Sequence, residues 1–192
     1  MELFDLEKQF AFFHGYHRNL KNIFVHVVFV WPIFFMFLLM LYFTPPLITH
    51  SPINDYLVFN YGFFLALGYS IYYLCLDKTT GSLAAFFCLI CWIGSSALAH
   101  RLGFSLAAKV AVGSQLLSLV AQLTSHAIFE KRVPSVIDNL FQTLVLAQFF
   151  VLLEVLQLAF DYEPYPEFNA KVKAIVDNDI KLWEDEKSKK RS

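Results

Sequence analysis

Five apolar runs separated by turn residues take up most of this chain, and they leave it few ways to fold. Ile23 to Phe43 and Tyr56 to Leu76 are each long enough to cross a hydrocarbon core of about 30 Å. Leu83 to Ala99 is short, Leu102 to Ser125 carries Lys109, and Leu140 to Phe160 carries Glu154. The breaks hold Pro45-Pro46, the stretch His50 to Asp55, the group Asp77 to Gly81, and Pro134, all of which are turn chemistry. Composition points the same way. Apolar residues make up 57% of the chain and charged ones 16%, against roughly 45–50% and about 25% in a soluble domain, and the mean hydropathy is +0.52. A lipid-embedded backbone must satisfy its own hydrogen bonds. The expected fold is therefore all-α, a polytopic membrane helical bundle with four to five apolar segments. Residues 1–160 form one membrane-embedded domain, and 161–192 a polar, charged tail.

Charge fixes an orientation. Lys8, Arg18 and Lys21 precede the first span, while Thr44 to Asp55 after it carries no Lys or Arg, so the N-terminus is expected in the cytosol. Met1 to Asn22 is mixed polar and aromatic, unlike a cleaved signal, and the first span reads as a retained anchor. The closing Lys189-Lys190-Arg191-Ser192 looks like a dilysine retrieval signal of endoplasmic reticulum membrane proteins, which acts in the cytosol; the alternative is a plain solvated end. With both termini on one side the crossings are even in number, so one of the last three segments is re-entrant or interfacial. A net charge of −1 with scattered basic residues argues against nucleic acid. Neither a nucleophile elbow nor a phosphate loop nor a dinucleotide fingerprint occurs, which argues against hydrolase and nucleotide-dependent chemistry. Cys75, Cys88 and Cys91 all lie in apolar runs, and the Cys88/Cys91 pair reads as two small hydrophobes in a helix rather than a redox or zinc pair.

Six histidines are present, and His17, His26 and His126 sit where apolar segments meet water. An imidazole in such a place is costly without a partner, so the chain reads as a membrane metalloprotein. In one continuous helix His17 and His26 would lie on opposite faces, and they can share a metal only if the chain bends between them. Asn22 and His26, four apart, share a face, with Asn22 as a cap or a donor behind the metal ligands. Gln122, His126 and Glu130 are also each four apart, so the amide or the carboxylate could orient the imidazole. Lys131 and Arg132 beside them suit a substrate with a carboxylate head and an apolar tail; the alternative is that both anchor the chain at the headgroups. Asp138 and Asn139 read as helix caps. His14 reads as interfacial, and His50 lies in a proline-rich loop.

These two constellations resemble the fungal 2-hydroxy fatty acid dioxygenase family of the endoplasmic reticulum and its bacterial and plant relatives. The likeness runs from about Phe10 to Phe160 and is strongest at Tyr16-His17, Asn19, Lys21-Asn22, His26, His126, Phe129 to Arg132, Pro134 and Ile137 to Leu140. It implies iron(II)-dependent α-oxidation, in which a 2-hydroxy long-chain fatty acid from phytosphingosine breakdown reacts with O2, loses its carboxyl carbon and becomes an odd-chain acid. A 2-hydroxy carboxylate is a two-point chelator for Fe(II), so no 2-oxoglutarate is needed. Histidine alone would suit zinc as readily as iron, and only the resemblance selects iron. His100 also looks like a family position and is taken as the fourth ligand beside His17, His26 and His126. Because a straight helix would put His100 and His126 about 39 Å apart, either Leu102 to Ser125 turns back on itself, for instance near Gly113, or His100 does another job. The competing reading is a nonenzymatic lipid-binding or carrier protein. A di-iron desaturase or hydroxylase fails, since the chain has six histidines and neither an HxxxH nor an HxxHH box.

Overall fold

The computed structural model describes residues 3–48, 56–131 and 139–189, with side chains through 179 and at 181. The chain enters as α1 (Leu6–Tyr16), started by Asp5, whose carboxylate accepts from Lys8 N at 3.1 Å. A bend at 17–19 leads into α2 (Leu20–Leu41), where the Asn19 side chain accepts from Lys21 N. Asn60 then serves two helices. Its Nδ2 donates to Leu41 O and Tyr42 O at 3.0 and 2.9 Å, satisfying open carbonyls at the end of α2, and its Oδ1 accepts from Gly62 N to start α3 (Tyr61–Leu76).

Asp77 caps α4 (Lys78–Ser125), accepting from Thr80 N at 2.7 Å. The two helices meet closely enough that a Cβ on Gly81 would overlap the Tyr73 carbonyl. At Gly103 the backbone takes φ 67 and ψ 167 and α4 divides into two arms. Contacts fix their directions. In the first arm Phe87 lies on Trp31 (5.2 Å between ring centroids) and His100 beside Tyr42, so it runs parallel to α2. In the second, Phe104 meets Phe43, Gln115 meets Ile33 and Ser125 meets Asn22, so it runs back antiparallel. The turn lies at Gly103 rather than near Gly113, which is an ordinary helical residue of the second arm. Only glycine adopts that φ and ψ without strain.

Helix α3 runs antiparallel to α2, with Tyr69 stacked on Phe34 at 5.1 Å. Helices α2 and α3 and the arms of α4 therefore alternate in direction and return the chain to its starting side. A π-helical turn, His126–Glu130, ends the second arm. Another, Gln142–Leu146, precedes α5 (Ala147–Phe160), and α6 (Phe168–Lys189) follows. Gln142–Phe160 is long and apolar enough to cross a membrane. Its contacts nonetheless stay at one end of the bundle: Tyr69 and Tyr73 hydroxyls donate to Leu144 O and Val145 O, Phe150 packs on Phe10 and Phe13, and Glu154 meets His14. Helix α6 differs from a free polar tail. Phe168, Val172 and Val176 are buried in the core that contains Phe10, because an apolar stripe every four residues lies against α1.

Candidate metal centre

The bend between α1 and α2 brings His17 to His26. Tyr16 ends one helix and Leu20 begins the next, so the opposite-face arrangement of a continuous helix does not arise. His126, at the last turn of the second arm of α4, completes a cluster with ring centroids 4.4, 4.8 and 5.0 Å apart. One ligand nitrogen from each of the three lies within 4.8 Å of the others, and all three residues are buried.

The hydrogen bonds determine which nitrogens are available. His17 Nδ1 donates to Phe13 O at 2.8 Å and His26 Nδ1 donates to Asn22 O at 3.0 Å. A carbonyl only accepts, so both Nδ1 atoms carry the proton and both Nε2 atoms hold a lone pair. His17 Nε2 and His126 Nδ1 are buried without a partner. Such orphans are expensive unless a ligand satisfies them. Burial first, and His26 second, hold the His17 imidazole well below its ordinary pKa, so it stays neutral and able to ligate. Three neutral imidazoles suit a first-row divalent ion and leave further coordination positions open.

A polar clamp sets this geometry. Glu130 Oε1 accepts from Arg18 N (3.0 Å), Asn19 N (2.9 Å) and Asn22 Nδ2 (3.0 Å), placing a carboxylate on the open amides at the start of α2. Asn22 Oδ1 in turn accepts from Ser125 Oγ at 2.6 Å. The residue before His126 and the residue four before His26 are thus tied together. Of the two groups whose spacing could orient His126, the Glu130 carboxylate binds the start of α2, because the π turn over 126–130 takes it off the face that a regular i, i+4 spacing would give.

A cavity of about 340 Å³ opens from the histidines. It follows His26, Val30 and Ile33 along α2 and Leu123, Leu119 and Leu116 along α4, with the 142–148 segment on its remaining side. Leu116 and Leu119 are 58% and 52% exposed, so the wall opens sideways toward lipid. Gln122 lines the cavity with its Nε2 unpartnered, one turn from His126, and makes no hydrogen bond to that imidazole. Gln115, Gln142, Gln148 and Ser125 were not anticipated from the sequence; a glutamine inside an apolar run was the available signal.

His100 does not join the cluster. Its Nδ1 lies 3.4 Å from Tyr42 Oη at the far end of α2, about 24 Å along the helix axis from His26 at 1.5 Å per residue. Because the chain reverses at Gly103, just after His100, the whole second arm separates it from His126. Its candidacy as fourth ligand is corrected on that ground. His14 pairs with Glu154, Nδ1 to Oε1 at 2.8 Å. Lys131 is exposed and ends the π turn in the left-handed region at φ 52. Arg132, His50, Pro134 and Asp138 lie outside the described residues. Asn139 Oδ1 accepts from Gln142 N at 3.0 Å, the cap expected of it.

With the geometry in place, the comparisons are specific. The family described as 2-hydroxy-palmitic acid dioxygenase Mpo1-like matches residues 3–158. A protein of Saccharomyces cerevisiae named 2-hydroxy-palmitic acid dioxygenase MPO1 is 31% identical over 181 residues, which cover 94% of this chain and 92% of that one. No solved structure matches. The matched span contains His17, His26 and His126 together with the clamp residues Asn22, Ser125 and Glu130, and on that likeness the chain belongs to the Mpo1-like family of helical membrane proteins.

Proposed function

We propose that this protein is an iron(II)-dependent dioxygenase that converts a 2-hydroxy long-chain fatty acid and O2 into the fatty acid one carbon shorter, CO2 and water. The observation that carries the reading is the cluster itself: three buried imidazoles with free nitrogens at the head of an apolar groove that opens to lipid. His17, His26 and His126 would hold the ion. When bound, iron(II) supplies redox chemistry with O2 and open positions for a two-point chelator.

The chain's own residues do the rest. Phe13 O and Asn22 O hold two imidazoles in the tautomer that ligates. The apolar groove takes the acyl tail and excludes water from the head. Lys131, and Arg132 in the same reading, attract the carboxylate at the membrane surface. In this reading the protein works in the endoplasmic reticulum membrane on a 2-hydroxy acid released by phytosphingosine breakdown.

The test is anaerobic purification with Fe(II), incubation with 2-hydroxypalmitate in air, and mass spectrometry of the fatty acids. The expected product is the acid one carbon shorter, lost on chelation and in alanine variants of the three histidines. A folded, iron-loaded protein that yields none at any chain length overturns the reading in favour of a lipid carrier.

A further inference from the structure

The groove that leaves the histidines has a floor. Its walls are apolar on both sides, Val30 and Ile33 from α2 and Leu123, Leu119 and Leu116 from successive turns of α4. At the far end Gln115 Nε2 donates to Ile33 O at 2.9 Å and joins the two walls. Past that bridge Leu39, Ala107 and Ala111 pack at 0–2% exposure. Glutamine is an unusual choice for one wall of a lipid-facing groove. Part of its role is interhelical adhesion, but adhesion alone does not require that it stand where the cavity ends.

The length of the groove has a chemical meaning. Eleven residues of helix separate His126 from Gln115, about 16 Å at 1.5 Å per residue. A zigzag alkyl chain advances about 1.25 Å per carbon for C–C bonds of about 1.5 Å. The groove therefore holds about 13 carbons beyond the two at the histidines, about 15 in all. We propose that the Gln115–Ile33 bridge is the ruler that sets acyl chain length. The inference rests on the reading that this groove takes a fatty acyl tail.

Binding tests it without requiring turnover. The full-length, Fe(II)-loaded protein in detergent under nitrogen is titrated with saturated 2-hydroxy acids, each two carbons longer than the last, displacing a fluorescent fatty acid. The tightest ligand for the unaltered protein is expected near 15 carbons. Gln115→Ala removes about 3 Å of side chain and should move the optimum about two carbons longer. Leu119→Trp, one turn nearer the histidines, should move it about four carbons shorter. Optima unmoved in both variants, with the unaltered protein still shortening 2-hydroxypalmitate in air, overturn the ruler alone and mean that the tail leaves sideways into lipid. Uniform weakening at every length by Gln115→Ala reduces it to adhesion and also overturns the ruler. Shifted optima in a protein that shortens no acid keep the ruler and overturn the oxidation. Failure to bind any acid overturns both.

Discussion

At the scale of single residues, what each imidazole can do is decided by the atom behind it. His17 and His26 are held through Nδ1 by backbone carbonyls one turn back, so their Nε2 atoms keep a lone pair with no side chain needed behind them. Alanine at His17, His26 or His126 should lower bound iron, measured by elemental mass spectrometry, from about one ion per chain toward background. His100→Ala should leave it unchanged, and loss of metal in that variant would restore His100 to the ligand set. Glu130→Ala removes the acceptor from three donors at once. Losing a helix-capping carboxylate costs about 2 kcal/mol, so the variant should melt several degrees lower and release metal more readily, while Glu130→Gln should recover part of both. The histidines were legible because imidazole is expensive at a membrane boundary. The clamp was legible only in part: Asn22 and Glu130 stand out by spacing, but the π turn after Ser125 changes which face Glu130 occupies, and i, i+4 counting does not detect it.

Individual elements are fixed by a few backbone decisions. The apolar runs were readable as helices, and Ile23 to Phe43 and Tyr56 to Leu76 correspond to α2 and α3 with ends differing by at most five residues. The reversal after His100 was not, since Gly103 and Gly113 look alike in the sequence and only the first adopts φ 67. A Cβ at Gly103 would meet nothing within 4 Å. Gly103→Ala therefore costs backbone strain alone, about 1–3 kcal/mol, and should lower the melting temperature without altering metal content. Helix α1 is pinned to α5 by a pair that titrates. The Glu154 carboxylate accepts from His14 Nδ1, and this bond, opposed by burial, raises the His14 pKa above its ordinary value. A raised native pKa means that the stabilisation is complete below the unfolded value of about 6.5 and is lost as pH climbs through the native one. The melting temperature should fall as pH rises from about 6.5 through the raised native value and flatten in Glu154→Gln; equal slopes in the two proteins would remove the pair from the account.

The whole molecule turns on a parity argument. Charge at the two ends predicts an even number of crossings from five apolar segments, without saying which segment fails to cross. Hydropathy does not resolve it, because Gln142–Phe160 is more apolar than its position would suggest. Packing bears on it: α2, α3 and the two arms of α4 alternate in direction along the bundle, whereas α5 folds back on α1, α2, α3, α4 and α6. The same closure puts His126 beside His17, since four alternating passes bring the end of the second arm back to the level at which the chain entered. A metal site built from the first and last of these passes thus depends on their number being even, and an odd number between His17 and His126 would separate the ligands by the length of a helix. Single cysteines introduced at Leu3, Leu47 and Tyr165, in a background lacking Cys75, report this directly in sealed vesicles with an impermeant maleimide. Leu3→Cys and Tyr165→Cys should label from one side and Leu47→Cys only from the other. Labelling of Tyr165→Cys on the Leu47 side would make α5 a fifth crossing and overturn the placement read from the Tyr69 and Tyr73 bonds to Leu144 and Val145 and the His14–Glu154 pair.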